Sequence, residues 1–195
     1  TVFRVAELSG PVSSRSQMIA DKLDLIDAAC TSDNLPGERW AKLCQNGMGN
    51  AISAMSTLGS QDMADDVECR RIRINLAKEG AKVGLAQGLK VVEIGGKPAE
   101  FWADADKGDV FEELDDYMAS RGGAVNWLAS MAQDVHKGRH SEIDFMNGLI
   151  SQKGREFGVS TPYNDAVIEA MHGIDNGSIN PNPTNVDRVM RLVEP

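Results

Sequence analysis

The sequence predicts a mainly α-helical protein opened by a short β-α-β piece, and three observations predict it. From Pro36 onward, apolar residues return every three or four positions, the period of a helix with one buried face. Before Asp33, two short β-favouring runs flank a single helical stretch. Glycine, proline and capping residues punctuate the chain at intervals that suit helices rather than a strand-rich sheet.

In chain order, Thr1 to Leu8 contains Val2, Phe3 and Val5 in a β-favouring run and predicts a strand. Ser9-Gly10-Pro11 is turn chemistry, after which Ser13 or Ser14 caps a helix through about Ile26. Ala28 to Thr31 predicts a second short strand. This unit, residues 1–34, is too small to be a domain and reads as the closing edge of a sheet whose other strands lie elsewhere. The start at Thr1 rather than Met reads as a processed, tagged or partial product.

Residues 35–195 form the helical portion. Pro36 suits a first helical turn, where a missing N–H costs nothing. Trp40, Leu43, Gly47, Ala51, Ala54 and Leu58 make one apolar stripe, predicting a helix to about Leu58 that Gly59 ends. Lys42, Asn46 and Asn50 follow at intervals of four on its flank, with attachment points about 6 Å apart along the axis. On spacing alone a solvated flank is the commoner reading and a cleft floor the rarer one. Gly47 and Gly49 each lower helix propensity by about 1 kcal/mol relative to Ala, so close approach of a backbone or ligand is expected there.

Asp62, Asp65, Asp66 and Glu68 lead a second long helix with Arg70, Arg71 and Arg73 after them, the order the helix dipole favours. Val67, Ile74, Ala77, Ala81 and Leu85 give its buried face, and Gly88 its C-cap. Val91 to Gly96 is a connector, Pro98 opens a short helix with Phe101 and Trp102, and Val110 to Met118 supplies another. The acids from Asp104 to Asp116 read as a solvated helix face, since no calcium-loop spacing is present. Arg121-Gly122-Gly123 breaks the pattern and Asn126 to His136 resumes it. Ser141, with Asp144 three residues on, predicts a capping-box start to a helix carrying Ile143, Met146, Leu149, Ile150 and Phe157, which Gly158 stops. Ser160-Thr161-Pro162 opens the next helix, Asn180 to Pro183 is loop, and Val186 to Val193 a short terminal helix.

The totals narrow the function classes. At 195 residues the chain can bury one sizeable core. A net charge of -9 argues against a general nucleic-acid binder and against adsorption to anionic membranes. No apolar run is long enough to span a bilayer, and no signal-peptide pattern opens the chain. Three cysteines without metal-ligand spacing read as reduced thiols of a cytoplasmic protein, and three histidines make a multi-histidine metal site a poor expectation. His140-Ser141-Glu142 are neighbours that diverge around a helix start and cannot form a nucleophile relay. Glu93-Ile94-Gly95-Gly96 lacks the G-x-G-x-x-G order of a dinucleotide loop.

Two separated segments resemble one known family. Glu38-Arg39-Trp40-Ala41-Lys42-Leu43-x-x-Asn46-x-x-x-Asn50 is similar to the start of the C-terminal domain of ketopantoate reductases (2-dehydropantoate 2-reductases). The stretch from Ser130-Met131-Ala132-Gln133-Asp134-Val135 through Gly138-Arg139-x-Ser141-Glu142-Ile143-Asp144 to Gly148 resembles the domain's second hallmark, and Gly158-Val159-Ser160-Thr161-Pro162-x-Asn164 the close of that region. The resemblance implies a helical domain akin to the C-terminal domain of 6-phosphogluconate dehydrogenase, preceded by the tail of a Rossmann domain. It implies reduction of 2-dehydropantoate, a small 2-oxo acid, to pantoate with NADPH in pantothenate biosynthesis, a homodimer through the helical domain, and no metal. Lys42 matches the catalytic lysine that protonates the ketone oxygen. Glu142 matches the acid that holds a substrate hydroxyl, and it stands here at an expected helix start, where the dipole favours its charge. Asn46 and Asn50 match substrate-binding amides, and Ser130 a serine that receives the substrate carboxylate. The cofactor-binding glycine loop has no counterpart in this chain, so the chain alone is expected to be inactive. Ser60 stands near the place where some members carry a further asparagine, which leaves a related 2-oxo acid reductase open. A stand-alone helical interaction module without activity also stays open.

Overall fold

The computed structural model describes residues 2–122 and 125–194. β1 (Phe3–Val5) and β2 (Ala29–Thr31) pair in parallel, Phe3 opposite Ala29, with α1 (Ser14–Leu23) as the crossover. Ser13 caps α1 as expected. The helix ends three residues before Ile26, because the carboxylates of Asp24 and Asp27 take the backbone N–H groups of Ala29 and Ala28 and turn the chain into β2. Leu25 and Ile26 are left exposed.

The rest is helical: α2 (Leu35–Gly47), α3 (Asn50–Ser56), α4 (Ser60–Asp65), α5 (Val67–Ala86), α6 (Ala99–Ala103), α7 (Val110–Ala119), α8 (Ser130–His136), a 3-10 turn (Ile143–Phe145), α9 (Asn147–Phe157), α10 (Pro162–Asp175) and α11 (Asn185–Val193). The axis of this arrangement is α5, which touches α2, α4, α6, α7, α9, α10 and α11. Ile72, Ile74, Ala77, Ala81 and Val83 on it are fully buried. Helix α2 sits close against α5 because Gly80 and Gly84 have no side chains. A Cβ at Gly80 would lie 2.8 Å from the Cys44 sulfur, and one at Gly84 would overlap the Trp40 ring. The Trp40 Nε1–H donates to the Gly80 carbonyl at 2.9 Å, which satisfies the one polar atom of a buried indole. Among the described residues no helix is long and apolar enough to cross a membrane.

Four sequence expectations are corrected. The helix expected from Pro36 to about Leu58 breaks at Met48 and Gly49, and its second half ends at Ser56 with Thr57 in the left-handed region (φ 65°). Buried Asn147 imposes the break by donating to the Gly47 carbonyl at 3.0 Å. The second long helix is two, because the Asp66 carboxylate caps α5 at the Cys69 N–H, 2.7 Å; Val67, at its first turn, is exposed rather than part of the buried face. Residues 125–129 are not helical. They form an irregular segment tied to the start of α4, the Ser60 N–H donating to the Trp127 carbonyl and the Gln61 N–H to the Asn126 side chain, both at 2.9 Å. Finally, Ser141 caps nothing: its N–H and hydroxyl both donate to Asp175, at 3.0 and 2.7 Å. Asp144 pairs instead with His172, and Glu142 precedes a 3-10 turn rather than sitting in the first turn of an α-helix. Gly158 does stop α9, with φ 71°.

Candidate active site

The break in the first helix builds the site. Lys42 and Asn46 lie on the last turns of α2, and Asn50 is the first residue of α3, so the three follow the bend instead of one straight flank. All three line one cavity of about 340 Å³. Asn50 Nδ2 donates to the Ser130 hydroxyl at 3.5 Å, so the start of α8 borders the same space. Ser130 itself is exposed. Glu142 is exposed and does not line the cavity.

Lys42 stands at a junction. It also lines a larger cleft of about 950 Å³ that extends along β1, α2 and the connector at Val92 to Gly96, and Gln45, Gly95 and Arg121 are shared by the two spaces. Lys42 makes no hydrogen bond or ion pair with another described residue, so its ammonium is free to meet a ligand from either side.

The far walls carry residues that the motif reading passed over. Met63, Met118 and Trp127 supply apolar surface, and Arg73 and Arg121 supply charge. Arg73 comes from α5 and makes no hydrogen bond or ion pair with a described residue; its Nε is buried without a partner. Burial pushes its guanidinium down to about 10, with the like charge of Arg121 adding to the fall. Arg121 donates to the Tyr117 hydroxyl at 3.0 Å, and that hydroxyl donates to the Gly95 carbonyl at 2.7 Å, which fixes its direction. A bidentate pair, Arg70 to Asp115 at 2.7 and 2.9 Å, clamps α7 to α5 and so holds this wall. No residue lining the cavity is acidic. A signal for Arg73 did exist in the sequence: Cys69, Arg73, Ala77 and Ala81 repeat every four residues, which places a cation in the helix's apolar stripe.

Below the floor lies a buried polar network. Asn147 Nδ2 donates to Gly47 and to the Asn164 side-chain oxygen, both at 3.0 Å. Asn164 and the N–H groups of Tyr163 and Asn164 donate to Glu79 on α5. The chain has thus tied the end of α2, where Lys42 and Asn46 sit, to α5, α9 and α10.

A family model, ketopantoate reductase PanE/ApbA C terminal, matches residues 34–175. The chain belongs to that family. A 2-dehydropantoate 2-reductase of Archaeoglobus fulgidus is 27% identical over 174 residues, covering 89% of this chain and 52% of that protein. A structure of D-mandelate dehydrogenase with NADH and anilino(oxo)acetate superposes with a TM-score of 0.72 at 25% identity, over 90% of this chain and 53% of that one. The dimeric ketopantoate reductase of Staphylococcus aureus shares the fold, with a TM-score of 0.61 at 18% identity over 90% of this chain and 55% of that one. The chain spans about half the length of the curated relatives it matches. The mainly α fold is that of the family's C-terminal domain.

Proposed function

We propose that this chain is the substrate-binding and proton-donating part of an NADPH-dependent ketopantoate reductase that converts 2-dehydropantoate to pantoate. One observation carries the reading. Lys42, Asn46 and Asn50 meet in one cavity, and Lys42 alone of the three also faces the adjoining cleft. Lys42 is the general acid: negative charge develops on the ketone oxygen during reduction, and a positioned ammonium both stabilises that charge and supplies the proton. Asn46 and Asn50 orient the substrate, and Ser130, reached through Asn50, receives its carboxylate. Glu142, which lies outside this cavity, is assigned the substrate hydroxyl on the family resemblance alone.

The cofactor sits poorly with the residues present. The β1-to-α1 loop contains one glycine, Gly10, and no G-x-G-x-x-G turn to admit a pyrophosphate. NADPH supplies the hydride in this reading and is bound mainly by a nucleotide-binding domain beyond these residues, to which residues 1–34 form the edge and residues 35–195 the partner. The family match beginning at residue 34 supports that division. The enzyme is read as cytoplasmic, in keeping with three free cysteines, and as a homodimer through the helical domain, like the dimeric neighbour.

A second reading, reduction of another 2-oxo acid, is favoured by Ser60. It lines the cavity and spends its backbone and side chain on the Trp127 segment, where some family members carry asparagine. Lys42→Ala in an enzyme bearing the nucleotide-binding domain tests the shared mechanism, followed by NADPH oxidation. Turnover is expected to fall about a hundredfold or more; a fall of less than about tenfold is too small for a general acid and sinks the assignment.

A further inference from the structure

The far wall of the cavity is built for a negative charge that the family's own motif does not account for. Arg73 is half-buried, its Nε is buried without a partner, and among the described residues no ion pair neutralises it. Arg121 adds a second cation near enough to act on it, and Lys42 a third. In a chain of net charge -9, no acidic residue lines this cavity. Two guanidinium groups facing one space without an anion repel each other, and that of Arg73 has lost much of its hydration, an arrangement that an entering carboxylate relieves. Their elements differ from those of the proposed substrate-carboxylate site: Arg73 is on α5 and Arg121 just beyond α7, whereas Asn50 and Ser130 begin α3 and α8.

We propose that the preferred substrate is a 2-oxo dicarboxylate, with its 2-oxo acid end at Lys42, Asn50 and Ser130 and its distal carboxylate between Arg73 and Arg121. Planar guanidinium groups suit a carboxylate because each can offer two parallel N–H donors. Met63 and Met118 flank the methylene chain between the two ends. The inference rests on the second reading above, a reductase of another 2-oxo acid, and takes from the shared mechanism the orientation of the substrate's 2-oxo acid end at Lys42.

The test compares 2-oxoglutarate with 5-methyl-2-oxohexanoate, in which an isopropyl group of similar shape replaces the distal carboxylate. Binding to the 195-residue chain is read by calorimetry, and kcat/KM in an enzyme bearing the nucleotide-binding domain. The dicarboxylate should bind at least about tenfold tighter, the scale of one lost charge-assisted contact. Arg73→Met and, separately, Arg121→Met should each erase most of that advantage while leaving the affinity for the monocarboxylate within about threefold. The methionine-lined cavity favours the apolar mimic, so a bias in the opposite direction is informative. Equal affinities, no binding of 2-oxoglutarate at millimolar concentration, or a preference that survives both arginine substitutions overturns the inference. Failure of the reductase reading shows separately, as turnover that survives Lys42→Ala.

Discussion

Helices α2 and α5 each carry two different kinds of surface. Where they face one another, Trp40 and Cys44 fill the space left by Gly80 and Gly84, and the indole N–H has its acceptor. A few residues away, α2 presents Lys42 and α5 a half-buried Arg73 to one cavity, neither paired with a described residue. The first region is satisfied and dense; the second holds charge without partners. Packing of that density makes small volume changes costly, whereas groups left unsatisfied are free to bind something else.

The comparison can be broken hardest at its dense side. Gly84→Val adds atoms where even a Cβ would overlap Trp40, and destabilisation of about 3 kcal/mol or more is expected by thermal or denaturant unfolding. Stability within about 1 kcal/mol of the parent would show that α2 can retreat from α5 and that the seam is not the tight one described. Next in size is Glu79, which lies between the two regions. Burial raises its carboxyl from 4.5 to about 7, against the hydrogen bonds from Tyr163 and Asn164 that favour the charged form. Between those two values the folded chain holds a proton that the unfolded chain has released. Stability is therefore full below that window and falls as pH rises through it, by at most about 3 kcal/mol. Denaturant midpoints measured across the window should show the fall, and Glu79→Gln should flatten it; an unchanged slope in the variant assigns the pH dependence elsewhere. The smallest effect has the opposite sign. Arg73→Met removes a half-buried cation whose Nε has no partner, and a gain of about 1 kcal/mol is expected, the trade between stability and function typical of binding sites. A loss of 2 kcal/mol or more, roughly that of a broken buried pair, would mean that Arg73 has a structural partner.

Much of the fold was legible in the sequence because the helices announce themselves locally. Pro36, Gly158 and Pro162 act within their own turns, and the apolar period needs no partner to be read. What escaped was imposed from a distance. The bend that carries Asn50 away from the axis of α2 depends on Asn147, one hundred residues along the chain. The irregular run before α8 depends on backbone groups of Ser60 and Gln61, and Ser141 is taken from its capping role by Asp175. The site followed the same rule. The spacing of Lys42, Asn46 and Asn50 alone favoured a solvated flank and only the family resemblance made them a candidate cleft floor, whereas Arg73 was read with the charges that suit a helix dipole. The apolar stripe running through Cys69 and Ala77 was the cue that it faced inward.

The segment from Val125 to Ala129 forms one wall of the cavity, yet it is held to α3 and α4 by main-chain groups, two serines and the Asn126 side chain. Its side chains Val125, Trp127 and Leu128 are exposed and carry little of the core. Such a wall is interchangeable at those three positions. Sequence drift at Val125, Trp127 and Leu128 can reshape the cavity while the helices behind keep their packing, so a change in the shape of this space need not be preceded by stabilising changes.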